Sequence, residues 1–358
     1  MQAPARSSEP ITAIEQVTPD WLTTVLVEAG MLDSGRVSEI RRVLGSTHFC
    51  ITARLSVHYT SPTTAPARLF LKFTRPDLAP SPLERGWEVL FYTEVAPHTP
   101  APLLRCYHAA LAPDRHQFHL LLEDLSSTHN HEQPSHLPPS RRFAEQIVDA
   151  LADVHVAWWQ RPPYDVLGWT PLTPEALDDR IADVRSRVSA FMAFLGDRTS
   201  PERHHRLSEV LDALPHLYTR LLDPTAYTVV HDDIHIGNVL FPRDPEAETV
   251  RLIDWQTWHI DLAAKDLAHM MALFWFPDVR GDWERPLLAR YLRRLHERGV
   301  ADYTAQQLWD DYRLSVIRIL FYPAWQWQNG HSPNIWWNNF ERAWAAFEDL
   351  DCAALLGA

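Results

Sequence analysis

The stretch VVHDDIHIGNVLF, Val229–Phe241, decides the fold predicted for this chain. An apolar pair leads into His231, Asp232 and Asp233, and Asn238 precedes a second apolar run. Polar residues between two such runs are typical of a loop that joins two strands. Two carboxylates beside apolar strands need an explanation, because an unpaired buried charge is costly. Three explanations are open at this point: metal ligands, an acid–base pair, or a polar turn without chemistry.

A second strand-like run, Val250–Ile253, ends directly before Asp254, and we predict that it pairs with Tyr227–Val230. Such a hairpin would gather the side-chain oxygens of Asp233, Asn238 and Asp254 at one end. Mg²⁺ prefers oxygen ligands and usually takes one or two carboxylates together with substrate phosphates. Phosphoryl transfer also needs a carboxylate that orients the attacking hydroxyl, and kinases place this carboxylate shortly before an Asn. The spacing therefore predicts magnesium-dependent phosphoryl transfer.

Three segments, HDDIHIGNVLF, LIDWQ and KDLAHMMA, resemble the aminoglycoside phosphotransferase and choline kinase-like enzymes, a phosphotransferase enzyme family that includes ecdysteroid-kinase-like members. The resemblance implies a protein-kinase-like fold, with Asp233 as the catalytic base and with Asn238 and Asp254 as magnesium ligands. The spacing favours Asp233 rather than Asp232 as the base, because Asp233 lies five residues before Asn238, as in the kinase pattern. The chain departs from the family at Asp232, where glycine is usual, so Asp232 is a candidate to share the charge of the site or to perturb the pKa of Asp233.

The residues before position 126 alternate apolar and polar side chains in short runs, which predicts a small antiparallel sheet that carries one helix. Lys72 lies in the run LFLKF among apolar neighbours, where an unpaired charge is costly. A kinase needs a Lys on such a strand to hold the nucleotide phosphates, positioned by a Glu of the following helix. The resemblance assigns that role to Glu88, because the family pattern Glu-x-x-Phe-Tyr occurs there. Glu84, one helical turn earlier, is the rival.

The remaining nucleotide contacts are predicted in loops. Gly45–His48 is expected to form a hairpin turn. The loop Gly45–Cys50 is expected to cover the phosphates, with Ser46 and Thr47 as candidate contacts. The run LLLEDL would end a strand and lead into a hinge, where the main chain of Glu123 and Leu125 would bind adenine.

Helical periodicity replaces the strand pattern after a polar, His- and Pro-rich stretch that follows Ser126. We therefore expect an α+β, bilobal protein-kinase-like fold. Its N-lobe would cover residues 1–125, and a helical C-lobe over residues 126–358 would carry the catalytic hairpin and the acceptor pocket. The resemblance implies ATP and Mg²⁺ as cofactors, bound between the lobes, and a hydroxyl of a small molecule as the acceptor.

The amino-acid composition limits the classes of binding partner and the location that we expect for the chain. The chain has 358 residues, 46% of them apolar and 22% charged, with a formal charge of −13, which argues against disorder and against nucleic acid as a partner. The acidic balance is compatible with a cationic acceptor. Three widely spaced cysteines favour a cytoplasmic location, and the N-terminus lacks the apolar region of a signal peptide. The most apolar stretch, Leu267–Phe276, is too short to span a membrane, and the oligomeric state is left open.

The sequence thus predicts an enzyme, a small-molecule kinase that moves the γ-phosphoryl group of ATP to a hydroxyl. Two alternatives are weighed against it. A non-catalytic nucleotide or small-molecule binder on the same fold is disfavoured because Lys72, Asp233, Asn238 and Asp254 are all present. A protein kinase is disfavoured because the chain lacks a triple-glycine loop, an Asp-Phe-Gly and an Ala-Pro-Glu segment.

Several other polar and aromatic residues have two interpretations. His235 is expected to make hydrogen bonds rather than bind metal, because Mg²⁺ prefers oxygen. Asp266 is expected to cap the helix LAHMMALFWF and to fix the catalytic hairpin. Most of the C-terminal tryptophans are expected to pack in the core, with one or two lining an acceptor pocket where aromatic rings hold an ammonium group; these are Trp325, Trp327, Trp336 and Trp337.

Overall fold

A computed structural model describes residues 8–47, 50–75, 86–130, 138–161 and 163–357. The chain divides into two compact units. The first is Met1–Asn130 together with Leu240–Trp258, and the second is His131–Val239 together with His259–Ala358. The N-terminal region carries an antiparallel sheet and the C-terminal region is mainly helical, which confirms the predicted fold class.

A five-stranded antiparallel sheet forms most of the first unit, with the strand order β1-β2-β3-β5-β4. Its strands are β1 Val37–Ser46, β2 Cys50–Tyr59, β3 Arg68–Thr74, β4 Cys106–Leu111 and β5 Phe118–Glu123. Leu69, Leu71 and Phe73 alternate along β3 and are buried in the core against helix α1, Pro19–Glu28. Thr18 caps this helix by accepting a hydrogen bond from the Trp21 N–H.

The hairpin turn between β1 and β2 begins later than predicted. Gly45 does not end β1, because it pairs with Thr52 across the sheet and Ser46 pairs with Ile51. A Cβ atom at position 45 would lie 2.9 Å from the Thr52 hydroxyl oxygen, so this Gly permits a close approach of the two strands rather than a turn. His48, the last residue of the predicted turn, lies outside the described residues.

The first unit also contains a short helical segment and a second sheet. Helix α2, Trp87–Leu90, continues as a π-helical turn, Phe91–Val95, and a 3-10 turn, Ala96–His98. The rival residue Glu84 lies outside the described residues. The second sheet has the order β6-β8-β9 and consists of β6 His129–Asn130, β8 Val239–Pro242 and β9 Arg251–Leu252. Further 3-10 turns are Ile14–Gln16 and Trp255–Thr257.

Nine helices and one strand pair are described in the second unit. The helices are α3 Arg141–Ala157, α4 Tyr164–Leu167, α5 Pro174–Leu195, α6 Pro201–Leu217, α7 Ala264–Ala268, α8 Pro277–Glu297, α9 Ala305–Ile319, α10 Tyr322–Gln328 and α11 Pro333–Asp349. A π-helical turn, His269–Leu273, follows α7, and 3-10 turns are Gly196–Arg198, Tyr218–Leu222, Ile236–Asn238 and Cys352–Leu355. Among the described residues, no helix has the length and apolar character that would let it cross a membrane.

The strand pair of the second unit differs from the predicted one. β7, Tyr227–Val230, pairs antiparallel with β10, His259–Leu262, and not with Val250–Ile253. The predicted hairpin is therefore wrong. All four residues of β7 are buried. Ile260 and Leu262 of β10, which pair with Val229 and Tyr227, are buried as well. The mixed segment HIDL carries two polar residues in four, so its strand character is weak in the sequence.

Candidate active site

The loop after β7 holds the carboxylate that the sequence predicts as the base. The Asn238 side-chain nitrogen donates hydrogen bonds to the Asp233 carbonyl oxygen at 2.8 Å and to its Oδ2 atom at 3.1 Å. The Asp233 side chain is 25% exposed, whereas Asn238 is buried. The structure therefore brings these two predicted site residues together and leaves the carboxylate accessible to a substrate.

A buried carboxylate fixes this loop from behind. The Asp266 side chain accepts hydrogen bonds from the backbone N–H groups of His231, at 2.7 Å, and Asp232, at 2.9 Å. Burial raises the pKa of Asp266, but the hydrogen bond from His155 and the neighbouring histidine charges outweigh it and lower the pKa to about 2. Asp266 lies inside α7 rather than at its N-cap, so the predicted capping role is wrong while the predicted bracing role is confirmed.

The two loop histidines have structural roles. His231 is fully buried, and its Nδ1 atom accepts a hydrogen bond from the Asp233 N–H at 3.3 Å. The His235 Nδ1 atom accepts from the Gly237 N–H at 3.0 Å, which confirms its expected hydrogen-bonding role. A Cβ atom at position 237 would lie 2.7 Å from the His235 ring, so a larger residue there would displace that ring.

Asp232, which lies where the family pattern has glycine, has a left-handed backbone and ion-pair partners of its own. Its φ angle is +60°, in the left-handed region that favours glycine. Its Oδ1 atom lies 2.7 Å from the Lys265 Nζ atom, and its Oδ2 atom lies 3.5 Å from His259 Nδ1. The carboxylate that was a candidate to share the charge of the site is therefore paired with a cation of its own.

In the first unit, Lys72 joins two carboxylates. The Lys72 Nζ atom forms an ion pair with Glu88 Oε2 at 2.7 Å and donates a hydrogen bond to Asp254 Oδ1 at 2.7 Å. Lys72 and Glu88 are 8% and 3% exposed. Burial lowers the pKa of Lys72, but the charges of Glu88 and Asp254 outweigh it and raise the pKa above its ordinary value. Burial raises the pKa of Glu88, and Lys72 partly offsets the increase. We conclude that Lys72 is held as a cation.

Two aromatic residues fix the segment that carries Asp254, and sequence reasoning did not assign them a role. Trp255 is fully buried and its ring stacks on Phe91, with centroids 3.9 Å apart and planes within 6°. The Trp258 Nε1–H donates a hydrogen bond to the Trp87 carbonyl oxygen at 2.7 Å. The tryptophan directly after Asp254 in LIDWQ was the available signal, because a large ring at that point needs a packing partner.

The predicted nucleotide-loop residues Ser46 and Thr47 are both exposed at the end of β1. The Thr47 N–H donates to the Cys50 carbonyl oxygen at 2.8 Å, and its hydroxyl accepts from the Cys50 N–H at 3.0 Å. The polar groups of Thr47 thus close the hairpin turn. The role of both residues as phosphate contacts stays a prediction.

The predicted adenine-binding residues follow β5. The Glu123 N–H donates to the Arg105 carbonyl oxygen at 2.9 Å, and the Glu123 carboxylate accepts from the Arg105 N–H at 2.8 Å. The Leu125 carbonyl oxygen accepts hydrogen bonds from the N–H groups of Thr128 and His129. The backbone of this segment is therefore fixed by local hydrogen bonds, and its predicted role stays a prediction.

Aromatic rings lie near Asp233 within the second unit. The His235 Nε2 atom is 3.7 Å from Asp233 Oδ2, and the His235 ring is 5.0 Å from the Phe274 ring. The Tyr322 ring is 5.3 Å from Trp325. The Tyr322 ring also lies 5.3 Å from the His269 ring, which lies 5.3 Å from Phe274. Burial and then the charge of Asp233 raise the pKa of Tyr322 well above its ordinary value. These half-buried rings form one side of the surroundings of Asp233.

The other C-terminal tryptophans pack elsewhere. Trp327 and Trp336 both contact Phe191 of α5, with ring centroids 5.7 and 5.5 Å apart. Trp337 contacts the ring of the buried Phe340 at 6.0 Å. Of the four tryptophans considered in the sequence, Trp325 is therefore the one whose ring contacts connect it to the neighbourhood of Asp233.

The proposed magnesium ligands are an amide and a carboxylate rather than a cluster of metal-binding side chains. In the part of the chain that the structure describes, no three His, Cys, Asp or Glu residues are grouped so as to hold a metal ion. A Mg²⁺ site completed by nucleotide phosphates needs only one or two protein carboxylates. Because the Asn238 side-chain nitrogen faces Asp233, its amide oxygen is the atom that it can offer to a cation. An amide oxygen and a carboxylate are both ligand types that magnesium accepts, and the assignment of Asn238 and Asp254 stays a prediction.

Comparisons with known proteins are consistent with this geometry. Residues 58–312 match the model of the family described as "Phosphotransferase enzyme family". The structure is similar to that of a candidate aminoglycoside phosphotransferase from Ralstonia eutropha JMP134, with a TM-score of 0.56 and 14% identity over 93% of this chain and 98% of the other. It is also similar to a microcompartment-associated aminopropanol kinase, with a TM-score of 0.53 and 14% identity over 92% and 96% of the two chains. At these identities the structural similarity shows the fold alone. No curated protein matches the chain.

Proposed function

Because the chain belongs to the phosphotransferase enzyme family, we propose that it moves the γ-phosphoryl group of ATP to a hydroxyl group of a small molecule. Family membership makes it a small-molecule kinase. The observation that supports this role most directly is the Asp233 carboxylate, a quarter of which is exposed. The Asn238 side-chain nitrogen donates one hydrogen bond to this carboxylate and a second to the backbone carbonyl oxygen of Asp233. Catalysis of this type depends mainly on positioning and on neutralising charge.

Lys72 is the proposed phosphate-binding cation. It is held on β3 by Glu88 and Asp254, and its pKa is raised, so it carries a positive charge at neutral pH. A buried cation fixed in this way can orient the α- and β-phosphates without losing further side-chain entropy. Ser46 and Thr47 are the proposed phosphate contacts at the tip of the β1–β2 hairpin.

Adenine recognition is assigned to the main chain of Glu123 and Leu125. The Leu125 carbonyl oxygen already accepts two backbone hydrogen bonds. We therefore assign the contact at this residue to its N–H group, whatever its side chain.

Asn238 and Asp254 are the proposed magnesium ligands. When bound, the ion would neutralise charge on the phosphate oxygens. Asp254 has a φ angle of +64°, an unfavourable backbone for a residue other than glycine, and the packing of Trp255 supports it. Strain of this kind is tolerated where surrounding packing over-determines the conformation, and it is frequent at functional sites.

Asp233 is the proposed base. It accepts the proton of the acceptor hydroxyl as the hydroxyl oxygen forms a bond to the γ-phosphorus. The bond from the γ-phosphorus to the bridging β–γ oxygen breaks, and ADP leaves with that oxygen. The products are ADP and a phosphate monoester, and the proton stays on Asp233 until solvent removes it.

A cationic acceptor is the finer proposal for the substrate. Tyr322 and Trp325 present half-buried rings in the neighbourhood of the Asp233 carboxylate. A ring face attracts an ammonium group, and Trp does so most strongly. The acidic balance of the chain, with a formal charge of −13, favours the approach of a cation.

The cytoplasm is the proposed location of the reaction. In the described part of the chain, none of the three cysteines, Cys50, Cys106 and Cys352, is in a disulfide. Reduced thiols are typical of proteins that stay in a reducing compartment, which is also where ATP is abundant.

A screen of hydroxyl compounds with ATP and Mg²⁺ tests the proposed function. The set should contain amino alcohols, aminoglycosides, sugars and sterol-like alcohols, with ADP release as the first readout and mass spectrometry of the phosphate ester as the second. We expect ADP and ester in equal amounts with at least one class. ATP binding without ester or ADP formation from any class would favour the alternative of a non-catalytic binder. Labelling of generic protein substrates instead would favour a protein kinase.

A further inference from the structure

We propose that Lys265 is a positioning residue for Asp233, because it pairs with the carboxylate of Asp232, the residue directly before the proposed base. The proposal rests on the proposed function. It explains how this chain places an aspartate at a position where the family pattern has glycine.

The backbone of Asp232 requires support. Its φ angle of +60° lies in the left-handed region, where a Cβ atom crowds the following carbonyl oxygen. Asp tolerates this region better than most residues, but it does so at a cost in free energy that glycine avoids. Contacts that hold Asp232 in place are therefore part of what keeps the loop in its observed conformation.

Among the described residues, Lys265 makes the closest ion-pair contact to the Asp232 carboxylate. Its Nζ atom is 2.7 Å from Asp232 Oδ1, and both side chains are largely shielded from solvent, at 14% and 23% exposure. Burial alone raises the pKa of Asp232, but the charge of Lys265, followed by those of His259 and His269, outweighs it and lowers the pKa. The carboxylate is therefore ionised, and it depends on a neighbouring cation.

The pair is embedded in a larger set of charges. Lys265 Nζ also lies 3.3 Å from Asp261 Oδ2 and 3.0 Å from His259 Nε2. Asp261 forms a bidentate pair with Arg318 at 2.8 and 2.5 Å. Positive and negative groups thus alternate from Asp232 through Lys265 and Asp261 to Arg318. Arg318 fixes Asp261, and Asp261 in turn fixes the lysine.

Two consecutive residues of α7 hold Asp232, one through its side chain and the other through its backbone. Lys265 pairs with its side chain, and Asp266 accepts its backbone N–H at 2.9 Å. Asp266 also accepts the N–H of His231, whose ring accepts the N–H of Asp233. The residue before the proposed base is therefore fixed at both backbone and side chain by one short helix, and a shift of either contact would move Asp233.

The pair also has an electrostatic consequence. Without Lys265, the Asp232 carboxylate would keep, within the described part of the chain, only its longer ion-pair contact to His259 at 3.5 Å. It would then repel the nucleotide phosphates and move toward another cation, which would pull the loop out of place. Removing only Lys265 should therefore be more harmful than removing both groups. This asymmetry distinguishes a positioning role from a simple loss of one stabilising contact, because glycine at position 232 needs no cation.

A mutant cycle tests the proposal on the full chain. The proteins are the wild type, Lys265→Met, Asp232→Gly and the double variant, with Lys265→Arg as the conservative control. The first readout is kcat and KM with ATP and an acceptor found in the screen. The second is the protection of amide hydrogens in peptides covering Val229–Asn238, corrected for intrinsic exchange rates, which needs no activity. Thermal unfolding confirms that each variant is folded.

We expect Lys265→Met to lower kcat by at least about tenfold and to leave KM for ATP within about threefold. The same variant should lower the protection of the loop amides by about tenfold. The double variant and Lys265→Arg should return both quantities to within about threefold of the wild type. Unchanged kcat and protection in Lys265→Met, or a loss that Asp232→Gly does not repair, would overturn the proposal.

The two readouts separate this proposal from the proposed function. If the wild type phosphorylates no acceptor, the exchange measurement still decides whether Lys265 holds the loop. In that case, loss of protection in Lys265→Met and its recovery in the double variant would support the role of Lys265 in holding this loop. The absence of a phosphate ester from the wild type would count against the proposed function. Independent effects of the two substitutions on protection would overturn the role of Lys265 in holding the loop.

Discussion

The Lys72 Nζ atom and the Asp254 Oδ1 atom lie 2.7 Å apart, although the two residues are 182 positions apart in the sequence. Lys72 lies on β3, and Asp254 follows β9 and belongs to the same compact unit. The buried lysine therefore has two anionic partners, Asp254 and Glu88, and neither partner alone determines its charge state. This arrangement leads to the first prediction.

Lys72→Met is expected to lower kcat/KM for ATP by about 10²- to 10³-fold, because it removes a preorganised cation from the phosphates. Initial rates of ADP release at varied ATP concentration measure the effect. Arg54→Met, which removes an exposed cation from the neighbouring strand β2, is the matched control and should stay near the wild-type value. Equal losses in the two variants would mean that Lys72 has no specific role at the phosphates.

Asp254→Asn is expected to remove the magnesium-dependent part of nucleotide affinity, at least about tenfold in Kd, because an amide is a weaker ligand for Mg²⁺ than a carboxylate. Titration calorimetry with ATP in Mg²⁺ and in EDTA measures this part directly. Asp33→Asn changes an exposed carboxylate of the same unit and should bind ATP as the wild type does. The assignment of Asp254 would be wrong if the difference between Mg²⁺ and EDTA persisted unchanged.

Asp266→Asn is expected to destabilise the protein at neutral pH by about 2 kcal/mol, the free energy that corresponds to lowering the pKa of a fully buried carboxyl from 3.8 to about 2. Because the folded-state pKa is depressed, this stabilisation is present above pH 4 and is lost as the pH falls from about 4 to about 2. Thermal unfolding of the two proteins at pH 7 and at pH 3 should show a gap that narrows in acid. A gap of constant size would contradict the assigned charge of Asp266.

Trp325→Leu is expected to raise KM for a cationic acceptor by about five- to tenfold and to leave a neutral isostere unaffected, since a partly desolvated ring contact to a cation is worth about 1 kcal/mol. Choline and 3,3-dimethylbutan-1-ol form such a matched pair of alcohols. Trp337→Leu is the control, because that half-buried ring packs on Phe340. Equal changes for the charged and the neutral alcohol would argue against a cationic acceptor.

The sequence predicted well those features that depend on local pattern or on the cost of burying a charge. Lys72 among apolar neighbours had to have a partner, and Glu88 on the next helix is one of its two partners. The proximity of Asp233 and Asn238 followed from their spacing in one loop. The start of α1 is also visible in the sequence at Thr18 and Pro19, because side-chain capping is a local interaction.

Other features depend on contacts that sequence separation hides. The pairing of β7 with β10 rather than with Val250–Ile253 was missed, because two polar residues in HIDL weaken its strand pattern. The contact between Asp232 and Lys265 joins two loop and helix residues that carry no shared periodicity. The stack of Trp255 on Phe91 is also non-local, since an aromatic residue in a sequence shows that it needs a partner and does not identify that partner.

The central claim, that Asp233 accepts the proton of an acceptor hydroxyl during phosphoryl transfer, is tested most directly by comparing the wild type with Asp233→Asn. The measurement is the amount of ADP and phosphate ester formed in a single turnover with the best acceptor from the screen. We expect equal amounts of both products from the wild type. Asp233→Asn should form them about 10²- to 10⁴-fold more slowly, with ATP affinity unchanged by calorimetry. Ester formation at the wild-type rate by Asp233→Asn would contradict the claim.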